Sequence, residues 1–282
     1  MPGTIVVIPT EGLANRIRII ASSFKLARES GKKLCVYWHL DVGLNAEFKN
    51  LFYEIEALPV KKVPVKYKIW MFLNIPNPRL RFLNKWYLKI LNFGFTFFDS
   101  NAQQLWDKKI NLLEEANKTK NIFISSCQEL NYFDIEDYKI FIPQPEILKI
   151  IDAISQNFTS NTIGIHIRST DHQWAKKHSP LWVFADKMQE EINTNPGINF
   201  FVSTDNREYQ EKLLQKFGRD KIIFHEKDFS RNTSKGIVDA VIDIFCLSRT
   251  SKIYGSYLSS FSEIAGRIGD TEVETLRVKY SD

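Results

Sequence analysis

Thr162-Ile163-Gly164-Ile165-His166-Ile167-Arg168-Ser169-Thr170-Asp171 is the stretch on which the reading of this chain turns. Ile163, Gly164, Ile165 and Ile167 form an apolar, β-branched run that reads as a buried strand. Polar groups then crowd in where that strand should end: His166, Arg168, Ser169, Thr170 and Asp171. Ligands in open α/β sheets sit beyond the carboxyl ends of strands, so chemistry is expected at this point. His166 and Arg168 are two apart and share one face of an extended strand. A guanidinium offers a planar fork to a diphosphate, and an imidazole can donate a hydrogen bond or stack on a ring. A surface arginine beside a half-buried histidine would give the same three letters, so His-x-Arg by itself identifies nothing.

Working outward, the first half opens with a strand at Ile5–Ile8, the loop Pro9-Thr10-Glu11-Gly12-Leu13-Ala14-Asn15-Arg16, and a helix with apolar positions at Ile17, Ile20, Phe24 and Ala27. Gly31 is the expected helix stop and Leu34–Trp38 the next strand. A strand, glycine loop, helix and strand in succession open a Rossmann-like unit. Gly12 would let the loop turn tightly and bring helix N–H groups to a ligand. Asn45 is expected to cap a short helix through Phe52. Ile122–Ser125 reads as a further strand, and Glu129–Pro145 as a connection between domains.

The second half reads as a regular succession: helix Glu146–Phe158, the organising strand, helix Leu181–Ile192, strand Asn199–Val202, helix Arg207–Phe217, strand Ile222–Phe224, helix Ile237–Leu247, strand Ile253–Tyr254, helix Ser259–Ile268 and a closing strand at Val273–Val278. The expected fold is therefore α/β, with two Rossmann-like parallel-sheet domains, residues 1–145 and 146–282, facing one cleft.

From Ala57 to Phe98 the sequence holds no Asp or Glu, yet it is rich in lysine, arginine and aromatic residues, with Pro64, Pro76 and Pro78 breaking it up. It reads as an insertion whose aromatics fill core and whose lysines are solvated. It also suits a membrane-surface patch or the docking of an anionic acceptor. Aromatic–basic mixing fits single-stranded nucleic acid as well, but no RNA-recognition module accompanies it, and nucleic acid is not expected as a partner.

Composition sets broad bounds. The 282 residues are 44% hydrophobic and 25% charged, with net charge +5, which is ordinary for a globular protein and far from a nucleic-acid coat. Cys35, Cys127 and Cys246 are odd in number and lie in apolar contexts, so free thiols are expected. No apolar run approaches the ~18–20 residues of a membrane span. The N-terminal stretch has no basic segment followed by a long apolar one, so a cytoplasmic location is expected, with peripheral contact to the inner membrane face left open.

Two further clusters follow strands in the second half. Ser259 and Ser260 open a helix whose N–H groups would welcome an anion, although as lone residues they read equally as N-caps. Asp239 and Asp243 lie one turn apart in a helix that is otherwise apolar. A carboxylate so placed needs a partner. It would find one in Arg231, Lys235 or Arg249, or in a ligand with adjacent N–H donors such as a guanine edge.

In this order, Gly-Ile-His-Ile-Arg-Ser-Thr-Asp, Val-Ser-Thr-Asp (ending at Asp205), Asp-Ala-Val-Ile-Asp-Ile-Phe-Cys-Leu-Ser and Ser-Ser-Phe-Ser resemble the motifs of the fucosyltransferase superfamily. That group contains the α1,6- and α1,2-fucosyltransferases and the protein O-fucosyltransferases. Glu11-Gly-Leu-Ala-Asn-Arg16 is similar to their N-terminal loop. The resemblance covers most of residues 5–52 and 160–268. It implies a GT-B-like fold, GDP-fucose as donor, and inverting transfer to a glycan hydroxyl with no metal or other cofactor. Arg168 would hold the β-phosphate, His166 the nucleoside, Asp243 the guanine, and Ser259 and Ser260 the diphosphate. Asn15 and Arg16 would face the reacting sugar. Glu11 stands where some protein O-fucosyltransferases place their base, with Asp171 next in line and Asp205 and Asp239 in supporting positions. The doubled arginine common in the α1,6 group reads Arg168-Ser169 here, and that group's acidic residue beyond the pair has no clear equivalent near Lys176. Expected partners are a GDP-sugar and an oligosaccharide or lipid-linked glycan acceptor. Two rivals remain: another GDP-hexose as donor, or a nucleotide- or glycan-binding module without turnover.

Overall fold

The structure is a computed structural model that describes residues 3–73, 81–170, 172–230 and 232–278. Asp171 and Arg231 lie outside the described residues. The chain divides into two compact units, Met1–Ile142 and Pro143–Asp282.

In the first unit the elements run β1 (Thr4–Val7), α1 (Leu13–Glu29), β2 (Lys33–Trp38), β3 (Val60–Lys62), α2 (Val65–Leu73), α3 (Arg81–Ile90), β4 (Phe95–Phe98), α4 (Ala102–Trp106), α5 (Leu112–Lys118) and β5 (Asn121–Ser125). The strands form one parallel five-stranded sheet in the order β3-β2-β1-β5-β4. Every residue of β1 after Thr4 is buried, as a strand covered on both faces requires.

Two expectations for this half are corrected. The acid-free stretch 57–98 is not an insertion: it supplies both edge strands, β3 and β4, and the helices between them. Tyr67, Trp70, Leu88 and Phe93 pack on Val6, Ile8 and Phe123 in one core cluster. The three prolines had hidden its periodicity. The helix expected from Asn45 to Phe52 is a single 3-10 turn at Phe48–Asn50. The Trp38 indole takes the Ala46 carbonyl at 2.9 Å, which holds that residue outside any helix.

The second unit runs α6 (Pro145–Ser155), β6 (Thr162–Ile167), α7 (Gln173–His178), α8 (Leu181–Thr194), β7 (Asn199–Thr204), α9 (Arg207–Phe217), β8 (Ile222–Ile223), α10 (Ser234–Leu247), β9 (Lys252–Ser256), α11 (Ser260–Gly269) and β10 (Val273–Leu276). Its parallel sheet has the order β10-β9-β6-β7-β8. All six residues of β6 are buried between β9 and β7, so the organising strand sits at the centre. Chain direction across the sheet reverses between β6 and β9, and the crevice at such a switch point is where α/β sheets hold ligands. Each unit is thus Rossmann-like.

Candidate functional site

The β6–β9 switch point is stitched by one hydroxyl. Ser256 Oγ, at the end of β9, donates to the His166 carbonyl at 3.3 Å and accepts from the Arg168 backbone N–H at 2.9 Å. The chain beyond β6 is then gripped from β7. Asp205 accepts from the Ser169 N–H at 2.8 Å and from the Thr170 hydroxyl at 2.7 Å, while its Oδ2 lies 3.5 Å from Arg168 Nε. Asp205 is therefore spent on shaping the loop and aiming the guanidinium.

His166 is buried and stacks on Phe261 in the first turn of α11, with centroids 4.7 Å apart and planes at 19°. Burial, then the neighbouring Arg168 charge and a smaller push from Lys227, takes its pKa down to about 3, so the ring is neutral near pH 7. Its Nδ1 has no hydrogen-bond partner among the described residues.

Close approach brings α11 to this point. A Cβ on Gly255 would stand 2.3 Å from Ser262 Oγ, so only glycine lets β9 and α11 pack so tightly. Leu258 precedes the helix at φ 54°, and Ser259 occupies the N-cap position without a side-chain cap bond. A bulky residue in the left-handed region costs about 1–2 kcal/mol, and such strain gathers at functional sites. The first N–H groups of α11 and the Ser259 and Ser260 hydroxyls together make an anion-welcoming corner.

The two carboxylates of α10 are both buried and have different fates. Asp239 is saturated: Oδ1 meets His225 Nε2 at 2.8 Å, and Oδ2 accepts from the Asp228 N–H at 2.8 Å and Lys235 Nζ at 2.6 Å. Burial alone would raise its pKa, but these donors win and hold it below the usual carboxylate value. It pins the loop after β8, and both of its oxygens are engaged by the chain itself. Asp243 Oδ2 accepts from Ser203 Oγ at 2.7 Å and pairs with Lys227, whereas its Oδ1 is buried without a partner among the described residues. Sequence reasoning did not find Lys227, which sits sixteen positions before Asp243 in a loop with no periodic signal. It also overlooked the Phe261 stack, although that ring lies inside a motif already singled out.

In the first unit the expected roles separate. Arg16 was expected to meet the sugar; instead its side chain is fully buried and committed to its own chain. Nε donates to the Glu11 carbonyl at 2.7 Å, Nη1 to the His39 carbonyl at 2.6 Å, and Nη2 to Asp41 Oδ2 at 2.5 Å. Burial pushes the guanidinium below its ordinary pKa, and Asp41 pulls it back. The left-handed residue of the loop is Glu11 (φ 63°), not Gly12, which is extended at φ −69° as the helix N-cap. A Cβ on Gly12 would meet nothing within 4 Å, so that position borders open space. Glu11 is exposed, and the side chain of half-buried Asn15 makes no hydrogen bond among the described residues. The arginine thus braces the strained loop that presents Glu11.

Beside this network, beyond β2 and β3, is a cavity of about 440 Å³ lined by Trp38, His39, Phe48, Val60, Lys68 and Met71 among others. Burial, then the Arg16 charge, pushes the His39 pKa down to about 4, against the pull of Asp41. Cys35, Cys127 and Cys246 are free thiols, and burial raises the pKa of Cys127 to about 11 and lifts that of Cys246 as well. Among the described residues, no helix is long and apolar enough to cross a membrane.

No family model matches this chain, and no curated protein sequence matches it. Solved structures do. An Arabidopsis thaliana FUT1 variant in complex with GDP aligns with a TM-score of 0.65 at 16% identity, over 98% of this chain and 70% of that one. NodZ α-1,6-fucosyltransferase from Bradyrhizobium, soaked with GDP-fucose, gives 0.65 at 17%, over 95% and 93%. POFUT1 in complex with GDP-fucose gives 0.58 at 13%, over 97% and 98%. The chain therefore has the α/β, GT-B-like fold of these fucosyltransferases, as the sequence motifs led one to expect.

Proposed function

We propose that this protein is a GDP-sugar-dependent glycosyltransferase that moves L-fucose, with inversion and without a metal, to the hydroxyl of a glycan. The observation that carries the reading is that Arg168 and the His166–Phe261 stack stand at the end of β6, and that Asp243, bonded to Ser203 beside His166 in the sheet, has an Oδ1 without a partner among the described residues. A likeness of fold to proteins crystallised with GDP and GDP-fucose supports it.

In this reading Asp243 Oδ1 accepts from the guanine N–H groups, and the neutral His166 contacts the nucleoside. Arg168 and the α11 N-terminus with Ser259 and Ser260 take up the charge that builds on departing GDP. Fixed donors of this kind stabilise a leaving diphosphate without a divalent ion. Glu11, held in a strained loop by Arg16, removes the acceptor proton, with Asn15 orienting the sugar. The cavity beside β2 and β3 is the room for an oligosaccharide or lipid-linked acceptor.

Calorimetry with GDP, UDP, ADP and GDP-fucose in EDTA tests this. Wild type should prefer GDP; Asp243→Ala should lose the preference, and Arg168→Ala should lose affinity on the order of tenfold to a hundredfold. Absence of guanine preference, or binding that requires a divalent cation, would overturn the proposal. Slow hydrolysis of GDP-fucose in preference to GDP-mannose is the expected result for the donor sugar.

A further inference from the structure

Helix α2 is apolar on both of its faces. Tyr67, Trp70 and Met71 point to the core cluster of the first unit. Opposite them Val65, Ile69 and Phe72, spaced four and three apart, form a second stripe that is 71%, 44% and 71% exposed. Lys66 and Lys68 flank that stripe on either side.

Helix α3 repeats the pattern. Leu88 is buried in the same cluster, while Trp86 and Ile90, one turn apart, are 62% and 59% exposed beside Lys85 and Lys89. The Tyr87 hydroxyl donates to the Lys66 carbonyl at 3.0 Å and ties the two helices together. Both outer faces therefore look away from one shared core. Four lysines border five exposed apolar side chains, and no acidic residue occurs between Ala57 and Phe98. None of the four lysines has an acidic partner among the described residues, unlike Lys62, which pairs with Glu47 at 2.8 Å.

We propose that the outer face of α2 and α3 is a docking surface for an anionic lipid bilayer. Leaving several large apolar side chains in water is unfavourable unless something covers them. A surface that is apolar, edged with lysine, carries tryptophan and lacks negative charge is complementary to the boundary between headgroups and acyl chains. The lysine stems can lie along the apolar layer while their ammonium groups reach phosphate. An acidic protein partner would need to supply both the charge and an apolar groove, whereas an anionic leaflet supplies both everywhere. The inference stands on the first unit alone and is independent of the nucleotide reading.

Co-sedimentation of the full chain with vesicles tests it, comparing pure phosphatidylcholine with vesicles in which about one lipid in three is phosphatidylglycerol. Binding should be confined to the anionic vesicles and should weaken with salt. The triple variant Lys66→Glu, Lys85→Glu and Lys89→Glu should lose at least about fivefold per lysine; Lys68 is left in place because it borders the cavity beside β2. The pair Phe72→Ser and Trp86→Ser should also lose binding at low salt, with unchanged far-UV circular dichroism and unchanged GDP affinity. Absence of wild-type binding to anionic vesicles, equal binding to neutral ones, or retention of binding in both variants would overturn the proposal. GDP affinity is read separately in each sample, so failure here leaves the donor site untouched.

Discussion

Arg16 and Arg168 follow the central strands of their respective sheets, β1 and β6, and their surroundings give them opposite uses. Arg16 is fully buried, and Nε, Nη1 and Nη2 all donate to its own chain. Arg168 keeps some exposure and is steadied through Nε by Asp205 at 3.5 Å. The first arginine has become part of the scaffold that presents Glu11, while the second is presented by a scaffold of Ser256 and Asp205. Residue type and position after a strand do not decide between structure and ligand binding; the acceptors that the local fold places around the guanidinium do.

The comparison breaks first at stability. Arg16→Ala removes a buried cation and takes its donors from the Glu11 and His39 carbonyls, while Asp41 keeps His39 and the Gly43 N–H, so a loss of about 2–3 kcal/mol is expected in urea unfolding. Arg168→Ala should cost no more than about 1 kcal/mol, because its partner Asp205 keeps its hydroxyl and amide donors. Equal destabilisation by the two substitutions would erase the distinction. Lys227→Met offers a parallel case in the second unit. It leaves the buried Asp243 without its cation, and about 3 kcal/mol or more should be lost.

Glu11 sharpens the contrast at a smaller scale. Glu11→Gly relieves a left-handed backbone and should add up to about 1 kcal/mol of stability. Transfer rate should nevertheless fall about 10²-fold or more, since the proposed base is gone. Retained turnover in Glu11→Gly and Glu11→Gln alike would remove Glu11 from the chemistry and leave a loop strained for another reason.

A further effect is in pH. His166 and His39 are held neutral in the folded protein, with pKa values near 3 and 4 against an unfolded value of 6.5. Between those limits the unfolded chain binds more protons, so stability is complete above about pH 6.5 and declines as pH falls toward 4 and then 3. His166→Gln should flatten that decline in urea midpoints measured from pH 7 to 4. A slope unchanged by the substitution would mean that His166 titrates alike in both states.

The second unit was the more legible half because its elements are regular. Alternating strands and helices put polar groups where strands end, and the order of the motifs made the fold readable down to β6 at its centre. The acid-free stretch was misread because Pro64, Pro76 and Pro78 stand in the sequence on either side of α2, and because β3 and β4 have only three and four residues. Edge strands so short carry little pattern; they are specified by the strands they pair with. The six-residue α7, capped by the His172 side chain, was missed for the same reason.

The sequence by itself determined which residue types stand near strand ends, at helix starts and on the apolar helix α10: Glu11, His166, Arg168, Asp243, Ser259 and Ser260 were all legible there. Only the tertiary structure decided how their polar atoms are spent. It engaged Arg16 and Asp239 with donors and acceptors of the chain, turned Asp205 into a clamp, brought Lys227 to Asp243, and left Asp243 Oδ1 and His166 Nδ1 without partners among the described residues. The reason is that hydrogen-bond satisfaction is a property of three-dimensional neighbours. Periodicity along a chain reports which face a side chain takes, and the partner waiting on that face comes from elsewhere in the sequence.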